Sequence, residues 1–197
     1  MDNEKKEWVF IINPAAGNGF AKTIVPKLEE MISKHNVDAE LVFTERKGHA
    51  KELSESYFEK GFRYIIAVGG DGTLNEVSRP LINKKDVTIG LIPAGTGNDF
   101  NQIMGFPDRF GDREWDIFFK GKEIVMDAGS CNGMIFLNGM GLGFDAQVAA
   151  ENYTETGKVK KGGKHKYIWQ IIKTLLFFRE KRMTVITSNG RHETDCF

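Results

Sequence analysis

The stretch Tyr64-Ile65-Ile66-Ala67-Val68-Gly69-Gly70-Asp71-Gly72-Thr73-Leu74-Asn75-Glu76 sets the architecture. Tyr64 to Val68 is an unbroken apolar run of strand length, the pattern of a strand buried on both faces of a parallel sheet. The glycines that follow stop the strand, and a helix is expected from about Thr73 to Leu81. At such a junction small residues let successive N–H groups point into one concavity at a helix N-terminus, which suits phosphate oxygens. The plainer reading of the same residues is a tight turn with Asp71 as an N-cap.

The same grammar extends in both directions. Upstream, Trp8 to Ile12 reads as a buried strand ending at Asn13-Pro14. Ile24, Val25, Leu28, Met31 and Ile32 then recur at helical spacing, with Pro26 marking where the regular helix starts. A strand is expected at Glu40 to Thr44, and a helix around Ala50, Leu53 and Tyr57 that Gly61 stops. Downstream, a strand is expected at Val87 to Ile92 and a helix near Asn98 to Met104. Strands alternating with helices predict an α/β domain over residues 1–122, with a Rossmann-like, mostly parallel sheet and helices on both faces.

After about residue 122 the pattern changes. Ile124 to Cys131 and Met134 to Asn138 flank Asn132-Gly133, a two-residue hairpin signal. A second signal, Asn189-Gly190, separates Met183 to Thr187 from a strand running to Phe197. Residues 123–197 are therefore expected to begin a β-rich second domain, with an inserted amphipathic helix near 165–180. About 75 residues rarely form an adequate core alone, so the chain is expected to be truncated inside that domain.

Two more strand ends carry small, amide-rich loops: Asn13-Pro14-Ala15-Ala16-Gly17-Asn18-Gly19 and Pro93-Ala94-Gly95-Thr96-Gly97-Asn98-Asp99. Neither completes a dinucleotide fingerprint or a Walker loop. Three such loops on one sheet edge, with Thr44 ending another strand, predict a site for a nucleoside triphosphate.

Lys plus Arg and Asp plus Glu both total 27, so no overall charge marks the protein for nucleic acid. Residues 158–182 are nonetheless basic: Lys158, Lys160, Lys161, Lys164, Lys166, Lys173, Arg179, Lys181 and Arg182 face one acid, Glu180. The helix expected at Tyr167 to Phe178 carries Ile168, Ile171, Ile172, Leu175 and Leu176 on one stripe. It reads as a packed helix with a solvated basic flank, or as a surface that meets anionic lipid. Cys131 and Cys196 lack metal-ligand spacing, which argues against a structural zinc site and points to a reducing compartment. No signal peptide is visible, and Ile171 to Phe178, broken by Lys173, is too short to span a bilayer. A cytoplasmic protein, transiently at a membrane surface, is expected.

The three loops together with Phe136-Leu137-Asn138-Gly139-Met140-Gly141-Leu142-Gly143-Phe144-Asp145-Ala146 resemble the soluble bacterial diacylglycerol kinase and sphingosine kinase family over nearly the whole chain. Gly-Gly-Asp-Gly-Thr alone is shared with NAD kinases and is similar to the phosphofructokinase loop. The resemblance implies a β-sandwich second domain and transfer of the ATP γ-phosphoryl group to a lipid hydroxyl with Mg²⁺. It implies nucleotide contacts from Asn13, Pro14, Ala15, Ala16 and Gly17, from Thr44, from Gly70, Asp71, Gly72, Thr73, Leu74, Asn75 and Glu76, and from Thr96. Asp71 is the catalytic candidate, either as the base that takes the hydroxyl proton or as a group that orders metal-bound water. The family's Leu-Asp-Gly-Glu motif does not occur here, and its metal ligands are expected beyond residue 197.

The remaining candidates read as structural. His49 and His165 are expected in loops or helix flanks, Asp145 in a turn or cap and Met140 in packing, with Asp99 and Asp127 supporting the loops. The rival functions are an NAD kinase and a non-catalytic nucleotide- or lipid-binding module. The strand edge at Phe197 invites pairing with a second copy.

Overall fold

The computed structural model describes residues 8–151, 164–187 and 189–196. The chain forms two compact units, Met1–Asn138 and Gly139–Phe197.

In the first unit the described elements run β1 (Trp8–Ile12), a short 3₁₀ turn (Ala16–Gly19), α1 (Phe20–Thr23), α2 (Val25–Lys34), β2 (Ala39–Phe43), α3 (His49–Glu59) and β3 (Tyr64–Gly69). They continue with α4 (Asp71–Ser78), β4 (Thr88–Pro93), α5 (Asp99–Ile103), α6 (Asp112–Lys120), β5 (Gly129–Cys131) and β6 (Met134–Phe136). The first four strands make one all-parallel sheet in the order β2-β1-β3-β4. Phe10 of β1 faces Leu41 on one side and Ile66 on the other.

Alternation along the strands divides the core in two. Val9, Ile11, Ile65, Ala67 and Leu91 meet α3 and α4 through Ala50, Tyr57, Leu74 and Val77. Phe10, Ile12, Ile66, Val68 and Ile92 meet the opposite layer through Ala21, Leu28, Met31 and Trp115. Both faces of β1 and β3 are buried, so their sequences read as continuous apolar runs. Leu74, expected at the nucleotide, is 2 % exposed and lies in the first cluster, where its side chain serves the core.

Several boundaries moved. Helix α4 starts at Asp71, because Gly70 is still extended (φ −108°) and its carbonyl accepts the Thr73 and Leu74 N–H groups. It ends at Ser78, ahead of Pro80, which has no N–H to donate. α6 was not anticipated, yet its start is well specified: the Glu114 carboxylate turns back to accept the Gly111 N–H, and Trp115 is buried. The strand expected from Ile124 forms only at Gly129–Cys131, where it pairs antiparallel with β6 across Asn132-Gly133. Ile124, Val125 and Met126 are exposed with no strand beside them among the described residues.

The second unit contains α7 (Phe144–Glu151), α8 (Lys164–Phe177), β7 (Lys181–Thr187) and β8 (Gly190–Cys196). β7 and β8 form an antiparallel hairpin closed by Thr187 opposite Gly190. The expected apolar stripe of α8 splits: Ile168, Ile172, Leu175 and Leu176 are exposed, whereas Ile171 is half-buried and Thr174 buried. Asp145 lies in α7 and His165 in α8, but their side chains fall outside the described residues, as do Lys158, Lys160, Lys161 and Phe197. No described helix is long and apolar enough to cross a membrane.

Candidate functional site

A parallel sheet places all its strand C-termini on one edge, and the order β2-β1-β3-β4 reverses direction between β1 and β3. A crevice at such a reversal is where open α/β sheets bind ligands. The first loop follows β1, the Gly69-Gly70 turn follows β3, the Pro93 loop follows β4 and Thr44 follows β2, so one edge carries all of them.

The loops are joined as well as adjacent. Asn13 spans the crevice: its amide Nδ2 donates to Thr73 Oγ1 at 3.1 Å, and its Oδ1 accepts the Ala15 N–H at 3.1 Å. The backbone N–H of Asn13 donates to Val68 O, and that of Thr44 to Ile12 O, which fixes both loop origins to β1 and β3. In the first loop Gly17 and Asn18 have φ of 59° and 56°, with Gly19 at 94°. Three left-handed residues in succession favour glycine and asparagine, which is the composition found there.

Glycine is required at two further points by close approach. A side chain on Gly17 would collide with the Ala94 carbonyl, and a Cβ on Gly70 would stand 2.9 Å from the Gly95 Cα. The Gly95 N–H is shared between Gly69 O (3.0 Å) and Asn98 Oδ1 (2.9 Å), and the Ala94 N–H donates to Gly69 O at 2.6 Å. First, second and third loops thus meet backbone to backbone. Thr96 and Gly97 remain exposed at the rim, with Gly72 and Ala15.

Asp71 has a role that sequence reasoning missed. Its Oδ2 accepts the Asp99 N–H (3.1 Å), and its Oδ1 accepts the Phe100 N–H (2.9 Å) and Asn138 Nδ2 (3.3 Å). It therefore caps α5 from 28 residues away, since Asn98, the residue preceding that helix, is turned elsewhere. Asn98 is buried at 0 % exposure with φ of 58°, and its side chain bonds Gly95 N–H, Gly95 O and Asp108 O. No local sequence pattern announces either contact.

Other expected contacts have structural partners. Asn75 Nδ2 donates to Ile135 O at 3.2 Å. Glu76 Oε2 accepts the Gly48 N–H at 3.0 Å, joining the turn before α3 to α4. His49 opens α3, and its Nδ1 accepts the Glu45 amide, a local turn bond. Among the described residues no three acidic, histidine or cysteine side chains gather to hold a metal.

Glycine loops gathered on one edge of a crossover sheet are an arrangement suited to phosphate-bearing ligands. Comparison with known proteins is more specific: the sequence profile described as "Diacylglycerol kinase catalytic domain" matches residues 7–131, more than half of the chain, and the chain belongs to that family. It is 28% identical over 157 residues to a diacylglycerol kinase of Staphylococcus carnosus (strain TM300), covering 79% of this chain and 50% of that one. A diacylglycerol kinase of Staphylococcus aureus (strain JH9) is 30% identical over 158 residues, covering 79% and 49%. A crystal structure of a diacylglycerol kinase from Bacillus anthracis str. Sterne superposes with a TM-score of 0.72 at 25% identity, covering 98% of this chain and 63% of that one. The chain spans about half the length of the curated relatives it matches.

Proposed function

We propose that this protein is an ATP-dependent lipid kinase that transfers the γ-phosphoryl group to a hydroxyl of diacylglycerol or a related lipid. One observation supports this above others: loops from three separate crossovers are joined at one sheet edge, Asn13 to Thr73 by a hydrogen bond and Gly70 to Gly95 by backbone contact, with Ala15, Gly72 and Thr96 exposed beside them. Phosphoryl transfer needs mainly positioning and neutralisation of phosphate charge, which such amides and Mg²⁺ supply. Asn13 to Gly17, Thr44, Gly70, Asp71, Gly72, Asn75, Glu76 and Thr96 are the proposed nucleotide contacts, while Thr73 and Leu74, whose side chains are buried and whose N–H groups donate to Gly70 O, shape the turn.

Asp71 is proposed to order the loop and water on the metal. Both of its oxygens already accept hydrogen bonds, which favours a positioning role over that of a freely moving base. Exposed Trp169, Leu175, Leu176 and Phe177 beside Lys173 on α8 support transient contact with an anionic lipid surface from the cytoplasmic side. A second reading is a non-catalytic nucleotide- or lipid-binding module, supported by the absence of a three-ligand metal cluster among the described residues. Incubating the chain, and a form extended to the relatives' length, with Mg-[γ-³²P]ATP and lipid extract, NAD or no acceptor tests the proposal. Label in lipid supports it. Label in NAD points to an NAD kinase, and nucleotide binding without transfer by either form supports the module.

A further inference from the structure

The three loops touch through glycine backbones, and motif side chains join the first to the second (Asn13 to Thr73) and the second to the third (Asp71 to the Asp99 N–H). One cation reaches them from outside the motifs. Arg109, half-buried in the segment between α5 and α6, donates from Nη2 to Gly95 O at 2.6 Å and from Nη1 to Asp108 O at 3.1 Å. Its guanidinium carbon lies 4.3 Å from the ring centroid of Phe20, the first residue of α1 and the one that follows the left-handed turn at Gly17 to Gly19. The same two carbonyls also accept Asn98 Nδ2, at 3.3 and 2.9 Å.

We propose that Arg109 is a positioning residue of the nucleotide site, a clamp that fixes the Gly95 carbonyl of the third loop against Phe20 at the end of the first. This rests on the nucleotide reading above. The physical case is that a charge-assisted hydrogen bond and a ring contact act on one guanidinium, so it couples the third loop to the end of the first. Arg109 is also removable. Without it, Gly95 O still accepts Asn98 Nδ2, so no buried carbonyl is orphaned and the sheet beneath is untouched. What is lost is the preset spacing of the loops, and a site that must be ordered on binding has lower affinity.

Titration of Mg-ATP into the whole chain by calorimetry, with melting temperatures measured in parallel, tests this. Arg109→Ala should raise the ATP dissociation constant about tenfold, the scale of one charge-assisted contact, with the melting temperature down only a few degrees. Arg109→Lys, which keeps a cation over the ring but loses the fork, should recover part of the affinity. Phe20→Leu should weaken binding too, and combining it with Arg109→Ala should add little further loss. A purely structural role would lower the melting temperature and leave the ATP constant alone, which overturns the clamp, as do losses that multiply in the double variant. If Arg109→Ala does not fold, Arg109→Lys, Phe20→Leu and their combination carry the same cycle. Wild-type chain that binds no Mg-ATP overturns the nucleotide reading together with the clamp, whereas wild type and Arg109→Ala that bind equally overturn the clamp alone.

Discussion

A Cβ added to Gly70 would stand 2.9 Å from the Cα of Gly95, so the second and third loops meet with no room for a side chain between them. Gly95 is the tighter side of the pair, and a Cβ there would also press on Asn98 Oδ1 at 2.8 Å. Gly95→Ala must therefore spread the loops. The cost expected for overpacking is about 1 to 3 kcal/mol, lowering the melting temperature by roughly 2 to 4 °C per kcal/mol in a chain of this size. ATP affinity should fall more steeply than stability, and calorimetry beside thermal melts checks this. Gly72→Ala, where a Cβ meets nothing within 4 Å, should be tolerated in the melt.

Asp71 ties α4 to the start of α5 through two backbone N–H groups. Asp71→Asn keeps the shape but replaces a charged acceptor pair with one oxygen and one NH₂, so one of those N–H groups loses its partner. A stability loss of about 1 kcal/mol is expected, as for other helix caps. If Asp71 also orders metal-bound water, ATP affinity in the variant should no longer depend on Mg²⁺. An affinity that rises with Mg²⁺ as in the wild type would remove that role and leave Asp71 a cap.

The sheet and its loops were legible because buried parallel strands are written as short apolar runs, and Trp8 to Ile12 and Tyr64 to Val68 each run into Pro or Gly residues that punctuate a strand. The bonds of Asp71 to the Asp99 and Phe100 N–H groups and of Asn98 to Asp108 O were not, since they join residues brought together by the fold and leave no periodic trace. α6 could have been read: Asp112 and Glu114 in its first turn and Trp115, Phe118 and Phe119 at helical spacing were all present. The Ile124 strand was over-read because β-propensity reports a tendency to pair, and pairing needs a neighbour.

Asn13 bridges β1's loop to Thr73 on α4. Asn13→Ala removes that bond and the Ala15 turn bond together. Neutral hydrogen bonds contribute about 0.5 to 1.5 kcal/mol each, about 1 to 3 kcal/mol for the two, so ATP binding should weaken by roughly five- to 150-fold where the whole loss falls on the site. Thr73→Val should reproduce part of the loss by removing the acceptor. An unchanged ATP constant in Asn13→Ala would show that the bridge does not shape the site.

Far from the site, the Tyr57 hydroxyl donates to Glu40 Oε2 at 2.8 Å, linking α3 to β2. Burial, and then this bond to a carboxylate, push the phenol up to about 12. A raised value means the folded state holds its proton more tightly than the unfolded chain, whose tyrosine titrates near ~10. The resulting stabilisation is complete below about pH 10 and is lost as pH rises toward 12. Urea midpoints for wild type should fall across that window more steeply than those of Tyr57→Phe. Parallel curves would show that the phenol contributes no linkage.

The most direct test of the account follows the backbone amides themselves. In ¹H–¹⁵N spectra of the chain titrated with Mg²⁺ and a non-hydrolysable ATP analogue, the largest shifts should fall on Ala15 to Gly19, Gly70 to Thr73, and Gly95 and Thr96. Spectra that do not change, or changes gathered on β7, β8 or the outer faces of α2 and α6, would contradict a triphosphate site at this sheet edge.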